Sequence, residues 1–183
     1  VAEQNGTATI TVIVEDAGDD GDLNQTADNL TLTRTFDVVV TAVNDTPTLD
    51  AIGNLSIAED AAQQTVNLAG IGPGPAESEA VRITASSNNT SLVPDPAVIY
   101  TNGNATGTLT FTPVAEQNGT ATITVIVEDA GDDGDLNQTA DNLTLTRTFD
   151  VVVTAVNDTP TLDAIGNLSI AEDAAQQTVN LAG

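Results

Sequence analysis

"VAEQNGTATITVIVED" occupies Val1–Asp16, and the same letters return at Val114–Asp129. The identity runs further: Val1–Gly70 equals Val114–Gly183 without a mismatch, an offset of 113 residues, whereas Ile71–Pro113 occurs once. The 183 residues are therefore one and a part turns of a 113-residue repeat, and every motif has to be read in that frame. Inside the stretch, Ile10, Val12 and Val14 alternate with Thr9, Thr11 and Ile13; in "LTLTRTFDVVVT" Leu30, Leu32, Phe36, Val38 and Val40 share one face. A period of two in threonine- and valine-rich segments marks half-buried strands, and no stretch carries a convincing helical period.

Composition narrows the chemistry. Twenty-seven acids stand against three arginines, with no lysine and no histidine, for a formal charge of −24. A basic footprint for nucleic acid is missing. Without cysteine there are no disulfides, thiolate metal sites or cysteine nucleophiles. Runs such as "ITVIV" and "FDVVV" are too short to cross a bilayer, and no signal peptide is visible. The charge alone would suggest disorder, but 40% of the residues are hydrophobic and they are patterned.

Pro47 and Pro160 follow "VND" and offer boundaries, so one complete domain reads as residues 46–158. Residues 1–45 then correspond to the last two strands of a preceding repeat, and 159–183 to the first strands of a following one. Within the complete repeat the pattern predicts strands at Thr48–Ile52, Leu55–Ala58, Gln64–Leu68, Val81–Ser87, Val98–Thr101, Thr106–Val114, Thr120–Glu128 and Leu143–Thr154. Turn-forming stretches such as "GPGPAESE", "TNGN" and "AGDDGDLNQTADN" separate them. Seven or eight short strands in a segment of this length predict an all-β, immunoglobulin-like antiparallel β-sandwich in tandem array.

"VEDAG" followed by "RTFDVVVTAVNDTP", with "LSIAEDAAQQTVNLAGI" and "NATGTLTFTPVAEQNGTATITVIV" in the same order, resembles the cadherin-like and immunoglobulin-like tandem repeats of very large bacterial surface and secreted proteins. The resemblance spans the whole repeat. It implies extended extracellular rods, often stiffened by calcium between domains, that serve as adhesin stalks or matrix fibres.

Calcium requires several convergent oxygen ligands. In such a sandwich the loop between the last two strands lies at the incoming end, placing Glu128, Asp129, Asp132, Asp133 and Asp135 near Asn44 and Asp45. The turn after the first strands lies at the outgoing end, placing Glu59 and Asp60 near Asn157 and Asp158. The cadherin pattern of an Asp-x-Gly, an early acidic residue and an Asn-Asp linker is matched by Asp16-Ala17-Gly18 and Asp129-Ala130-Gly131, by Glu59 and Glu172, and by Asn44-Asp45 and Asn157-Asp158. It departs from this pattern at Ala42 and Ala155, where the full linker has another Asp, and an Asp-Arg-Glu motif is missing. A second candidate site is the EF-hand-like order Asp20, Asp22, Asn24, Asp28, repeated as Asp133, Asp135, Asn137, Asp141, although Gln25 and Thr31 replace the turn glycine and final Glu. The competing reading of all these acids is a solvated face that keeps the protein soluble.

Other chemistry is sparser. Sequons preceded two positions earlier by an acid make Asn5, Asn24, Asn118 and Asn137 candidates for N-glycans, against chance sequons in a chain rich in Asn and Thr and against O-glycans on threonine. Arg34 and Arg147 read as structural. Without His, Cys or Lys there is no conventional nucleophile system, Schiff base or imidazole-bound zinc, which speaks against an enzyme. A carbohydrate-binding cadherin-like module is the rival function. It has no tryptophan and one tyrosine with which to build a stacking platform. Repetition favours a structural job in which length scales with copy number. The expected partners are neighbouring identical repeats, and laterally other copies of the chain in a fibre.

Overall fold

The computed structural model describes residues 4–183. Among the described residues it is all-β, with nine strands: β1 (Gly6–Glu15), β2 (Thr31–Val40), β3 (Leu55–Ala58), β4 (Gln64–Ala69), β5 (Val81–Ser87), β6 (Ala97–Ile99), β7 (Thr106–Phe111), β8 (Gly119–Asp129) and β9 (Thr144–Thr154). The last seven form two sheets, ordered β3-β9-β8-β5 and β4-β7-β6. The two share one core, as alternation along each strand requires. Ala121, Ile123, Val125 and Val127 of β8 and Phe149, Val151 and Val153 of β9 face inward. They meet Leu68 of β4 and Leu109 and Phe111 of β7, with Leu49, Ile71, Leu92 and Val93 closing the ends.

The incoming segment departs from the expected pattern. Thr48–Ile52 is not a full strand: Thr48 bridges Gly72, and Asp50 N–H donates to Ala69 O at 2.9 Å, after which the chain leaves this sheet for the other. There β3 pairs with β9 in parallel, Leu55 opposite Val151, rather than antiparallel. The reason is direction. Asn44 lies against the loop from which β9 starts, so both strands run away from the incoming end. Arg147 on β9 fastens the crossing, its Nε donating to Leu49 O at 3.1 Å. β7 stops at Phe111, short of the expected Val114, because Pro113 has no N–H for the ladder.

Strands β1 and β2 repeat β8 and β9 residue for residue and keep the same register, Gly6 opposite Val40 as Gly119 is opposite Val153. The Thr9–Asp37 cross-strand bond matches Thr122–Asp150, at 2.7 and 2.8 Å. The hairpin therefore forms from local sequence, but its apolar face is bare. Phe36 is 54% exposed where its copy Phe149 is 2% exposed. Residues 159–183 carry the sequence of β3 and β4 yet form no strand, lacking pairing partners.

The repeat supplies its own control for core packing. Ile123→Ala, at a fully buried site, should cost about 2–5 kcal/mol. Ile10→Ala, the same change in the same local sequence, should leave the main thermal transition nearly unmoved. Equal losses in melting temperature would contradict the assigned core.

Candidate junction sites at the two ends of the repeat

At the incoming end the structure brings Asn44 and Asp129 together. Asp129 is the last residue of β8 and is completely buried. Its Oδ1 accepts from Gly131 N–H at 3.1 Å, Leu143 N–H at 2.8 Å and Asn44 Nδ2 at 3.2 Å, while Asn44 Nδ2 also donates to Asp141 O at 2.8 Å. The turn itself is local, since Asp16 accepts from Gly18 and Leu30 in the same way in the bare hairpin. Asn44 is what the incoming linker adds.

Two glutamates that the sequence reading missed complete this end. Glu77 Oε1 accepts from Asp45 N–H at 2.8 Å, and Glu77 and Glu79 line one cleft with Asn44, Ala76 and Asp132. The β4–β5 loop carries them there. Gly74 permits the approach, because any Cβ at that position would run into the Glu77 carboxylate. Burial first, then the neighbouring Glu79 and Asp45 charges, push the Glu77 carboxyl above its ordinary value of 4.5. Asn44 Oδ1, Glu77 Oε2, Glu79 Oε1 and Asp129 Oδ2 are buried and accept no N–H or O–H of the unprotonated protein among the described residues, although a proton on Glu77 would be shared with Glu79. Asp129 stands apart from the cleft that Asn44, Glu77 and Glu79 line. An unpaired buried acceptor costs about 1–3 kcal/mol, and more when charged. All four are hard oxygen donors, the type a calcium ion takes.

At the outgoing end Glu59 is buried. Its Oε1 accepts from Val156 N–H at 2.7 Å and its own N–H donates to Thr154 O at 3.0 Å, which holds the departing chain. Beside it, carboxylate oxygens of Asp60, Glu116 and Asp158 lie within 4.8 Å of one another. Glu116, also missed in the sequence, comes from the β7–β8 loop. The charges of Asp158 and Asp60 raise its pKa above 4.5. Ala76 and Glu116 are the two non-glycine residues in the left-handed region among the described residues, at φ 62° and 58°, one at each end. Such backbone costs on the order of 1–3 kcal/mol and tends to persist at functional sites.

The other candidates lie elsewhere. Glu128 points to the opposite face of the sheet from Asp129, as strand alternation dictates, and pairs with Arg82 at 2.6 Å. Asp133 Oδ1 accepts from Asp135 N–H, and Asp135 Oδ1 from Asn137 N–H, at 2.8 and 2.9 Å. The EF-hand-like order is therefore a series of turns in which each carboxylate caps the amide two residues on. Asp132 and Asp133 stay on the exposed rim of the cleft, and Asn157 is exposed. Among the glycosylation candidates, the Asn24 and Asn137 amides are tied to Asp22 and Asp135. Asn5 and Asn118 are exposed. Phe111 and Phe149 are in the core and Tyr100 packs against it. Among the described residues no helix is long and apolar enough to cross a membrane.

No protein-family model and no curated protein matches the chain. Among solved structures it is similar to domains 1–6 of the surface layer protein SbsC, at TM-score 0.42 and 21% identity, covering 87% of this chain and 18% of that one. Domains 4–9 of SbsC give TM-score 0.42 and 21% identity over 89% and 20% of the two chains. For domains 4 and 5 alone the values are 0.36 and 16% over 78% and 77%. The chain thus spans about a fifth of the length of the first two SbsC chains.

The raised carboxyls give the metal-free protein an unusual pH dependence. A group whose folded pKa lies above its unfolded one contributes stability at low pH and loses it as pH rises through the folded value. Glu77 and Glu116 therefore contribute stability that is fully present below pH 4.5 and is lost as pH rises above it through their folded values. Glu128, whose pKa is lowered first by its Arg82 bond, acts oppositely and is lost only in stronger acid. In chelator the melting temperature should rise from pH 7 toward pH ~5 and fall again below pH ~4. Glu77→Gln with Glu116→Gln should flatten the rise. A steady fall throughout would contradict the assignment.

Proposed function

We propose that this chain is a section of a tandem array of immunoglobulin- and cadherin-like sandwiches, a structural, non-catalytic element of an extracellular bacterial filament or giant adhesin stalk stiffened by calcium at its junctions. The observation that carries the reading is the set of buried, unpaired oxygens on Asn44, Glu77, Glu79 and Asp129. The strand order supports the fold part: two sheets of four and three strands, with an incoming segment that bonds to one sheet and then joins the other in parallel.

Sequence identity then assembles a whole junction. Asn157-Asp158 is the copy of Asn44-Asp45, so one linker serves two repeats. Seen from the repeat it leaves, its Asp stands with Asp60 and Glu116. Seen from the repeat it enters, its Asn stands with Asp129 and its Asp N–H with Glu77. On this reading residues 1–45 supply the closing hairpin of a preceding repeat and residues 159–183 open a following one. Carboxylates from both repeats surround the linker, with no lysine in the chain to neutralise them. Cation-free, they repel and the linker is free to bend; calcium draws both repeats onto it. A site of Kd ~1 mM at ~10 mM calcium contributes about 1.4 kcal/mol.

The test is calcium titration of a chain of three repeats, with length followed by small-angle scattering and stability by melting. Elongation and a higher melting temperature at millimolar calcium are expected, both lost with Asp129→Asn and Glu77→Gln at every repeat. No response to calcium in the unmodified chain would leave the acids as solubility charge and overturn the proposal.

A further inference from the structure

The four-stranded sheet ends on β5, whose outer edge faces no other strand of that sheet. Backbone N–H groups alternate sides along an antiparallel strand. Just past β5, Asn88 N–H donates to Thr122 O of β8 at 3.1 Å, so even-numbered amides face β8. The amides of Val81, Ile83, Ala85 and Ser87 therefore face outward. Two of these four are taken by side chains: Asn102 Oδ1 accepts from Val81 N–H at 2.9 Å, and Asp95 Oδ1 accepts from Ser87 N–H at 2.7 Å. Both acceptors come from the segments flanking β6, which belongs to the other sheet. They fasten that sheet across both ends of the β5 edge and leave Ile83 and Ala85 between them.

An open edge is a template for another chain, and natural sheets blunt it with lysine, proline or a bulge. "VRITASS" has neither lysine nor proline, and its register with β8 is continuous. Its one charge, Arg82, is engaged by Glu128.

We propose that Asp95 and Asn102 close the β5 edge against strand addition by a second copy of this chain. The pairing they prevent is β5 against β5, antiparallel and two-fold symmetric, which would fuse two four-stranded sheets into one. Such pairing draws on all four outward amides, and the caps have already bonded the outer two. Rods can then lie side by side without zipping into one sheet.

The full chain carrying Asp95→Ala and Asn102→Ala tests this, with immobilised peptide VRITASS as probe and hydrogen exchange read at Ile83 and Ala85. The variant should capture the peptide about tenfold more strongly than the unmodified chain. The Ile83 and Ala85 amides should gain protection on binding. Asp95→Asn with Asn102→Asp keeps an acceptor oxygen at both positions and should behave as the unmodified chain. Equal capture by the alanine variant and the unmodified chain overturns the proposal. So does capture by the conservative pair as strong as by the alanine pair. If the double variant fails to fold, Asp95→Ala alone, whose bond lies at the exposed edge, is read by the same comparison with the same outcomes.

Discussion

One carboxylate organises the incoming end. Asp129 Oδ1 collects three donors while Oδ2, equally buried, collects none. The satisfied oxygen builds the turn that starts β9 and receives the linker's Asn44. The unsatisfied one is a buried acceptor without a hydrogen-bond partner among the described residues. Removing the carboxylate would also release the turn, so the same residue couples core to junction.

The outgoing end obeys the same logic with less burial. Glu59 uses its carboxylate to hold the departing backbone at Val156, which sets Asp158 beside Asp60 and Glu116. The two ends share a dipeptide, Asn-Asp, whose halves face in different directions. Rigidity in this scheme resides in the linker rather than in the sandwiches, whose cores close on their own apolar side chains.

Much of the fold was legible because the repeat shows each segment's periodicity in isolation. Strands β5, β8 and β9 stand close to where threonine–valine alternation places them, and the hairpin β1–β2 keeps its register without a core. What alternation cannot carry is pairing direction: nothing in "LSIA" distinguishes a parallel partner from an antiparallel one, and Thr48–Ile52 divides its bonds between sheets. That Asn44 and Asp129 meet at one end, and Asp60 and Asp158 at the other, follows from the places the sequence gives to the linker, the Asp-x-Gly turn and the turn after the first strands. Glu77, Glu79 and Glu116 were not legible, because they reach the ends through loops far away in sequence. A partial signal existed in Gly74, which gives the Glu77 carboxylate room. The loop acids misled in the opposite direction, since Asp133 and Asp135 follow a metal-ligand spacing that an Asx turn also produces.

The most direct measurement is a crystal structure of two consecutive repeats grown with calcium, with the anomalous signal recorded at both ends of the linker. The account predicts calcium bound at the junction, about 2.3–2.6 Å from carboxylate oxygens of the linker or of the loops beside it. A junction in which those oxygens instead bond to one another through shared protons, or to ordered water alone, at millimolar calcium would contradict it.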